Sequence, residues 1–298
     1  WKNELVDAQG GFLPHIIKDA NGDPIIDQTL HWAAPNGSVI CDGLEVTDCR
    51  GVMPDAALPY TGPVPMVTHV HGAHVDPVSD GYPEAWWLPD ANNLAGYATT
   101  GTFYDTAAPA AAGSAVYSYP NDQPSSTLWY HDHSLGITRL NVYAGPAGFY
   151  LIRGGTDDEV YDSRYGTAAV LPGPAPGVGD DPLGEFGEIP IAIQDRSFNV
   201  DGSLFYPDTR AFFDGYAGPY VPDTPVSPIW NPEFFGNTMV VNGFTWPYLE
   251  VEPRRYRFRL LNGCNSRFLI LWFEGPGVEV WQIGAEGGFL PAPVRLHD

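Results

Sequence analysis

The sequence predicts an all-β chain built as two sandwich-like units in tandem. Three observations carry that reading. First, 34 glycines and 30 prolines among 298 residues interrupt any long helix. Second, no apolar period of 3.6 residues persists anywhere along the chain. Third, short runs alternate with period two between turns rich in Gly, Pro and Asp, as half-buried strands do. Hydrophobic residues make up 44% of the chain, aromatics 13% and charged residues 17%. That composition can fill real cores and excludes a disordered chain.

Residues 1–65 read as irregular. At the first clear strand, Met66, Thr68 and Val70 alternate with Val67, His69 and His71, and Gly72 ends the run. A loop rich in Asp, Pro and Trp spans 76–96. A short strand at 116–119 precedes a turn at Pro120-Asn121-Asp122, and 127–133 and 149–152 are further strands. Pro172, Pro174 and Pro176, with several glycines, keep 154–187 irregular. A β pattern restarts at 189–194. After a second Pro- and aromatic-rich loop at 214–236, strands are expected at 239–242, 248–251, 256–261 and 268–273. In the run Arg255-Tyr256-Arg257-Phe258-Arg259-Leu260 the alternation is strict. It predicts a half-buried antiparallel strand with a solvated basic face. The domains expected are 1–155 and 189–298, joined by a linker at 156–188.

The formal charge is -22, from 36 acids against 14 bases. Nucleic acid and anionic membrane surfaces are therefore poor partners. No window holds the ~18 consecutive apolar residues of a membrane-spanning helix. The chain opens on Trp1 rather than Met, and we expect a processed chain or an internal piece. Cys41 and Cys49 bracket a short loop, either as a disulfide or as two thiols. Cys264 reads as a lone strand-end thiol. Without a Cys-x-x-Cys, thiolate zinc sites and thioredoxin-type chemistry lack support.

Four of the eight histidines fall into two His-x-His pairs, His69/His71 and His131/His133. On a strand, residues i and i+2 project from one face, so each pair aims two imidazoles at one point. A lone histidine on a strand is usually structural; two such pairs, both on predicted strands, point to a metal. Four imidazoles without a thiolate suit Zn, Cu, Fe or Ni rather than Ca or Mg. His69, His71 and His74 also have the histidine spacing of a binuclear zinc hydrolase, but Ala73 stands where that motif needs Asp. Such hydrolases also need alternating helices, and His74 reads as a loop residue. Asp132 lies between its two histidines on the opposite strand face and is not counted as a ligand.

His69-Val70-His71-Gly72 together with Leu128-Trp129-Tyr130-His131-Asp132-His133 resembles the first two copper motifs of multicopper oxidases. The stretches 79–86, 138–145 and 241–259 are similar to the branch that holds spore-coat laccase, bilirubin oxidase and phenoxazinone synthase. The resemblance runs from about 64 to 295, with 154–188 and 207–236 diverging. It implies tandem cupredoxin-like Greek-key β-sandwiches, both incomplete here, and a copper cofactor. By position, His69 would bind a type 2 copper, His71 and His131 one type 3 copper, and His133 the other. Asp80 would assist proton delivery near the type 2 site. The resemblance further implies O2 and a small-molecule reducing substrate as partners, and a third cupredoxin domain supplying the other cluster ligands. That domain's His-Cys-His motif is missing from this chain, since none of the three cysteines is flanked by histidine. A non-enzymatic copper-binding cupredoxin pair is the alternative.

Overall fold

The computed structural model describes residues 1–19, 22, 24–25, 32–35, 40–41, 44–45, 60–153, 160–162, 167–169, 171–173, 187–207 and 233–297. Its described elements are strands apart from one short α-helix and one 3-10 turn. Strands β1 (Ile40–Cys41) and β2 (Leu44–Glu45) form a small hairpin. The possible Cys41–Cys49 pairing falls outside the described residues. The first larger sheet orders β3 (Thr68–His71), β4 (Ser126–Asp132) and β5 (Ala147–Ile152), all antiparallel, with β4 central. Between β4 and β5 lies helix α1 (Thr138–Ala144). Strands β6 (Val160–Asp162) and β7 (Thr167–Ala169) pair inside the stretch expected to be a linker.

A second sheet is built on β8 (Glu188–Phe198), which starts one residue before the expected restart. Strand β9 (Leu204–Phe205) pairs its end, and the path continues through β10 (Thr238–Val241) to β11 (Phe244–Thr245) on one side. On the other side lies β12 (Arg257–Asn262), which runs parallel to β8 rather than antiparallel as expected. Strands β13 (Val280–Ala285) and β14 (Gly288–His297) close the described chain as a hairpin.

Several expectations need correction. Residues 116–119 form no strand, because side chains take up the backbone there: Thr106 Oγ1 accepts from Val116 N–H, and Ser79 Oγ accepts from Ser118 N–H. Residues 248–251 and 268–273 pair with no strand among the described residues, although 268–273 is an unbroken apolar run. Apolar content alone makes no ladder. The β13–β14 hairpin escaped the sequence reading because Pro291 and Pro293 interrupt its second strand. Its real signal was Gly287-Gly288, both at positive φ, +81° and +146°. Helix α1 was missed because seven residues are too few to register a 3.6 period. It nonetheless buries Leu140, Asn141 and Tyr143, and Gly145 ends it at a φ of +146°.

The largest correction concerns β12. Its arginine face is the buried one: Arg257 and Arg259 are 7% and 5% exposed, whereas Phe258 and Leu260 are 37% and 44% exposed. The reason is Glu188, buried at the start of β8. Its carboxylate receives Arg153 Nη2 at 2.6 Å, Arg259 Nε at 2.5 Å and Arg257 Nη1 at 3.6 Å. Arg259 also donates to Thr127 Oγ1 on β4 at 2.7 Å. This charged node therefore ties the second sheet to the strand that carries His131 and leads into His133.

Aromatic packing joins the same two parts. Tyr143 of α1 shares one apolar cluster with Trp32, Tyr60, Tyr206 and Phe234. Its hydroxyl donates to Phe205 O and accepts from Ser197 N–H, both at 2.8 Å. Nearer the histidines, Val67, Trp86, Trp87 and Leu88 form a second cluster. Val70, Leu128 and Ile152 form a third beneath the first sheet.

Candidate metal centre

The register of β3 on β4 sets His69 opposite His131 and His71 opposite Trp129. With period-two alternation, His69, His71, Trp129 and His131 share one face, while Val70, Leu128 and Tyr130 pack on the other. His133 follows directly after β4, and its N–H bonds to Val67 O. The expected strand pair thus becomes a single patch of imidazole. One ligand atom each from His69, His71 and His131 falls within 4.8 Å of the others. His133 stacks on His69 with ring centroids 4.8 Å apart and lies 5.7 Å from His131. The structure therefore brings all four sequence-nominated histidines together. His74 stays apart on the exposed loop, where its ring approaches Asp122.

Hydrogen bonds fix which nitrogen each ring presents. His69 Nδ1 lies 2.5 Å from Asp80 O, His131 Nδ1 2.7 Å from Asp132 O, and His133 Nδ1 2.8 Å from Gly81 O. A carbonyl oxygen only accepts, so each Nδ1 carries the proton and each Nε2 is left with its lone pair. This is the arrangement in which metal-ligating histidines are found. His71 differs: its Nδ1 faces His131 Nε2 at 3.3 Å. Two imidazole nitrogens at about 2.0–2.1 Å from one tetrahedral ion would stand about 3.3 Å apart. The donor set therefore fits a shared metal at His71 and His131.

The surroundings favour a neutral ring at His131. Burial, with the neighbouring imidazoles, lowers the His131 pKa to about 4 against its bond to the Asp132 carbonyl. Trp129 stacks on His71 and lies 4.3 Å from His131, walling one side. Asp80 sits at the open edge with its carboxylate 3.4 Å from His69 Nδ1 and half exposed.

Behind the histidines lies a polar network that the sequence did not disclose. Asp132 is buried on the opposite face, as its position between the ligands requires. Its carboxylate accepts from Val67 N–H, Ser134 N–H, Ser134 Oγ and Asn141 Nδ2 at 2.8–3.1 Å. Burial raises its pKa to about 6 against those four bonds. Asn141 in turn bonds Pro65 O and His15 Nε2. These residues brace the entry to β3, the exit from β4 and helix α1 against one another. Asp132 was visible as an odd carboxylate between ligands; Asn141 and His15 carried no signal, because the bonds from Asn141 to Pro65 and His15 span 76 and 126 residues.

No protein-family profile matches the chain. Sequence comparison finds a laccase of Bacillus stratosphericus, 42% identical over 78% of this chain, and one of Bacillus subtilis, 38% identical over 78%. "Multicopper oxidase LPR1 homolog 1" of rice is 37% identical over 80% of the chain. The chain spans 38%, 37% and 33% of these curated relatives' own lengths. Among solved structures, the McoA multicopper oxidase of Aquifex aeolicus matches 79% of this chain and 40% of its own, with a TM-score of 0.48 and 25% identity. At 37–42% identity over more than three quarters of its length, the chain belongs to the multicopper oxidase family.

Proposed function

We propose that His69, His71, His131 and His133 are half of the ligand set of a copper cluster in a laccase-like oxidase. The whole enzyme would couple one-electron oxidation of phenolic or related donors to four-electron reduction of O2 to water. The observation that carries this reading is the convergence of four imidazoles, three of them with Nδ1 bonded to a backbone carbonyl. Bound copper would supply the one-electron steps that four-electron reduction of O2 demands.

The chain's own residues do the rest. His71 and His131 would share one ion through Nδ1 and Nε2, supported by their 3.3 Å separation. His69 would serve a second ion and His133 a third, each through Nε2. The half-exposed Asp80 carboxylate, beside His69 and open to water, would pass protons inward. Trp129 would exclude water from the side of His71 and His131. The division into 1–155, a 156–188 linker and 189–298 belongs to this reading, supported by the separation of the β3–β5 and β8–β12 sheets. The remaining ligands and the electron-entry site would come from a third cupredoxin domain.

The test is metal analysis and oxygen uptake on the full-length oxidase that carries this chain. Copper near four ions per polypeptide, with O2 consumed in the presence of a phenol or aryl amine, is expected. Stoichiometric zinc without copper would overturn the proposal. In that enzyme, His131→Ala or His133→Ala is expected to abolish O2 consumption while leaving the blue absorption of the electron-entry site.

A further inference from the structure

The carbonyls that hold His69 and His133 come from consecutive residues, Asp80 and Gly81. One turn therefore grips one ring from each histidine pair, although the two pairs lie about 60 residues apart. The turn is braced from behind. It follows the 3-10 turn Pro77–Ser79, Asp80 N–H bonds Pro77 O, and buried Ser79 accepts from Ser118 N–H. In front it lies hard against β3. A Cβ on Gly81 would stand 2.2 Å from Thr68 O, 2.8 Å from Thr68 C and 3.0 Å from His69 Cα. Gly81 also holds a φ of +79°, which L side chains rarely adopt.

We infer that the Asp80–Gly81 turn is a clamp that sets the tautomer and aim of His69 and His133, and that Gly81 is its positioning residue. The inference rests on the copper reading above for its purpose, but not for its geometry. A side chain at 81 must push the turn away from the Thr68–His69 backbone, because the atoms it meets are main chain and cannot swing aside. Both carbonyls then leave their rings together. The Asp80 carboxylate is not the holding group, since the bond to His69 Nδ1 is made by the Asp80 backbone oxygen.

Long-range ¹H–¹⁵N NMR of the imidazoles in the metal-free chain tests this without copper. At mildly alkaline pH, the native His69 and His133 are expected as Nδ1–H tautomers with slowly exchanging Nδ1 protons. Finding either as the Nε2–H tautomer overturns the clamp, whatever any variant does. Gly81→Ala is expected to mix the tautomers of both rings and to weaken Cu(II) binding by about 10–100-fold in a competition titration. Gly96→Ala is the control. It has a φ of +90° with nothing within 4 Å of the added Cβ, so it carries the backbone strain without the collision. Asp80→Ala keeps the backbone carbonyl and is expected to leave both tautomers in place. If Asp80→Ala shifts His69 while Gly81→Ala shifts neither ring, the carboxylate is the holding group and the inference fails. If the native tautomers are as stated but copper does not bind, the clamp stands and the copper reading falls.

Discussion

Glu188→Gln probes the node that joins the two sheets. The substitution keeps the volume and one acceptor oxygen but removes the charge. Glu188 and its partners Arg257 and Arg259 have side chains only 1%, 6% and 5% exposed, and Arg153 is about one third exposed. Burial disfavours the Glu188 carboxylate, yet the bonds from Arg153 and Arg259 outweigh it and hold its pKa below the usual range. Removing one member of a buried ion pair costs about 3–5 kcal/mol, because the remaining charge stays desolvated. Arg153 adds little, since water reaches it. We therefore expect Glu188→Gln to lower the unfolding free energy by about 3–5 kcal/mol in urea at an unchanged slope. Adding Arg259→Met should recover part of the loss, because a neutral pair no longer leaves that guanidinium buried without its carboxylate. A loss under about 1 kcal/mol would mean that the cluster behaves as a solvated surface pair. The solvated arginine face read from the sequence would then be right and the burial of β12 wrong.

Three further outcomes are expected. Asp132→Ala strands the N–H groups of Val67 and Ser134 in a dry interior, at about 1–3 kcal/mol each; urea unfolding should show the sum, and Asp132→Asn should cost less because an acceptor oxygen remains. His15 is buried and neutral, and burial, its largest influence, lowers its pKa to about 4. Its unfolded pKa is near 6.5, so its contribution to stability should be full above that value and fall by up to about 3 kcal/mol as pH drops through 4; His15→Gln should reduce the drop across this window in a pH series of melts, leaving the part due to His131. His131→Ala should abolish tight Cu(II) binding by the chain, whereas His74→Ala, out on the exposed loop, should leave the titration unchanged.

The histidine pairs were legible because strand geometry is local. With period two, His69 and His71 must share a face, as must His131 and His133, whatever else the chain does. The all-β class followed for the same reason, from glycine, proline and alternation that act within a few residues. The facing of the two pairs, with His69 opposite His131, is a matter of register, and register belongs to two strands separated by more than 50 residues. The arginine row on β12 shows how a local pattern misleads. Alternation established that its two faces differ, but which face turns inward depended on Glu188, a buried carboxylate some 70 residues earlier. Likewise Gly81 read as one residue of a loop rich in Asp, Pro and Trp. Only the closeness of Thr68 O to where a Cβ would stand, and the two rings bonded beside it, show why a hydrogen must stand there. The sequence by itself determined which side chains could bind a metal. The tertiary structure decided which nitrogens they present and what holds them, because a hydrogen bond's partner is set by contact in space rather than by distance along the chain.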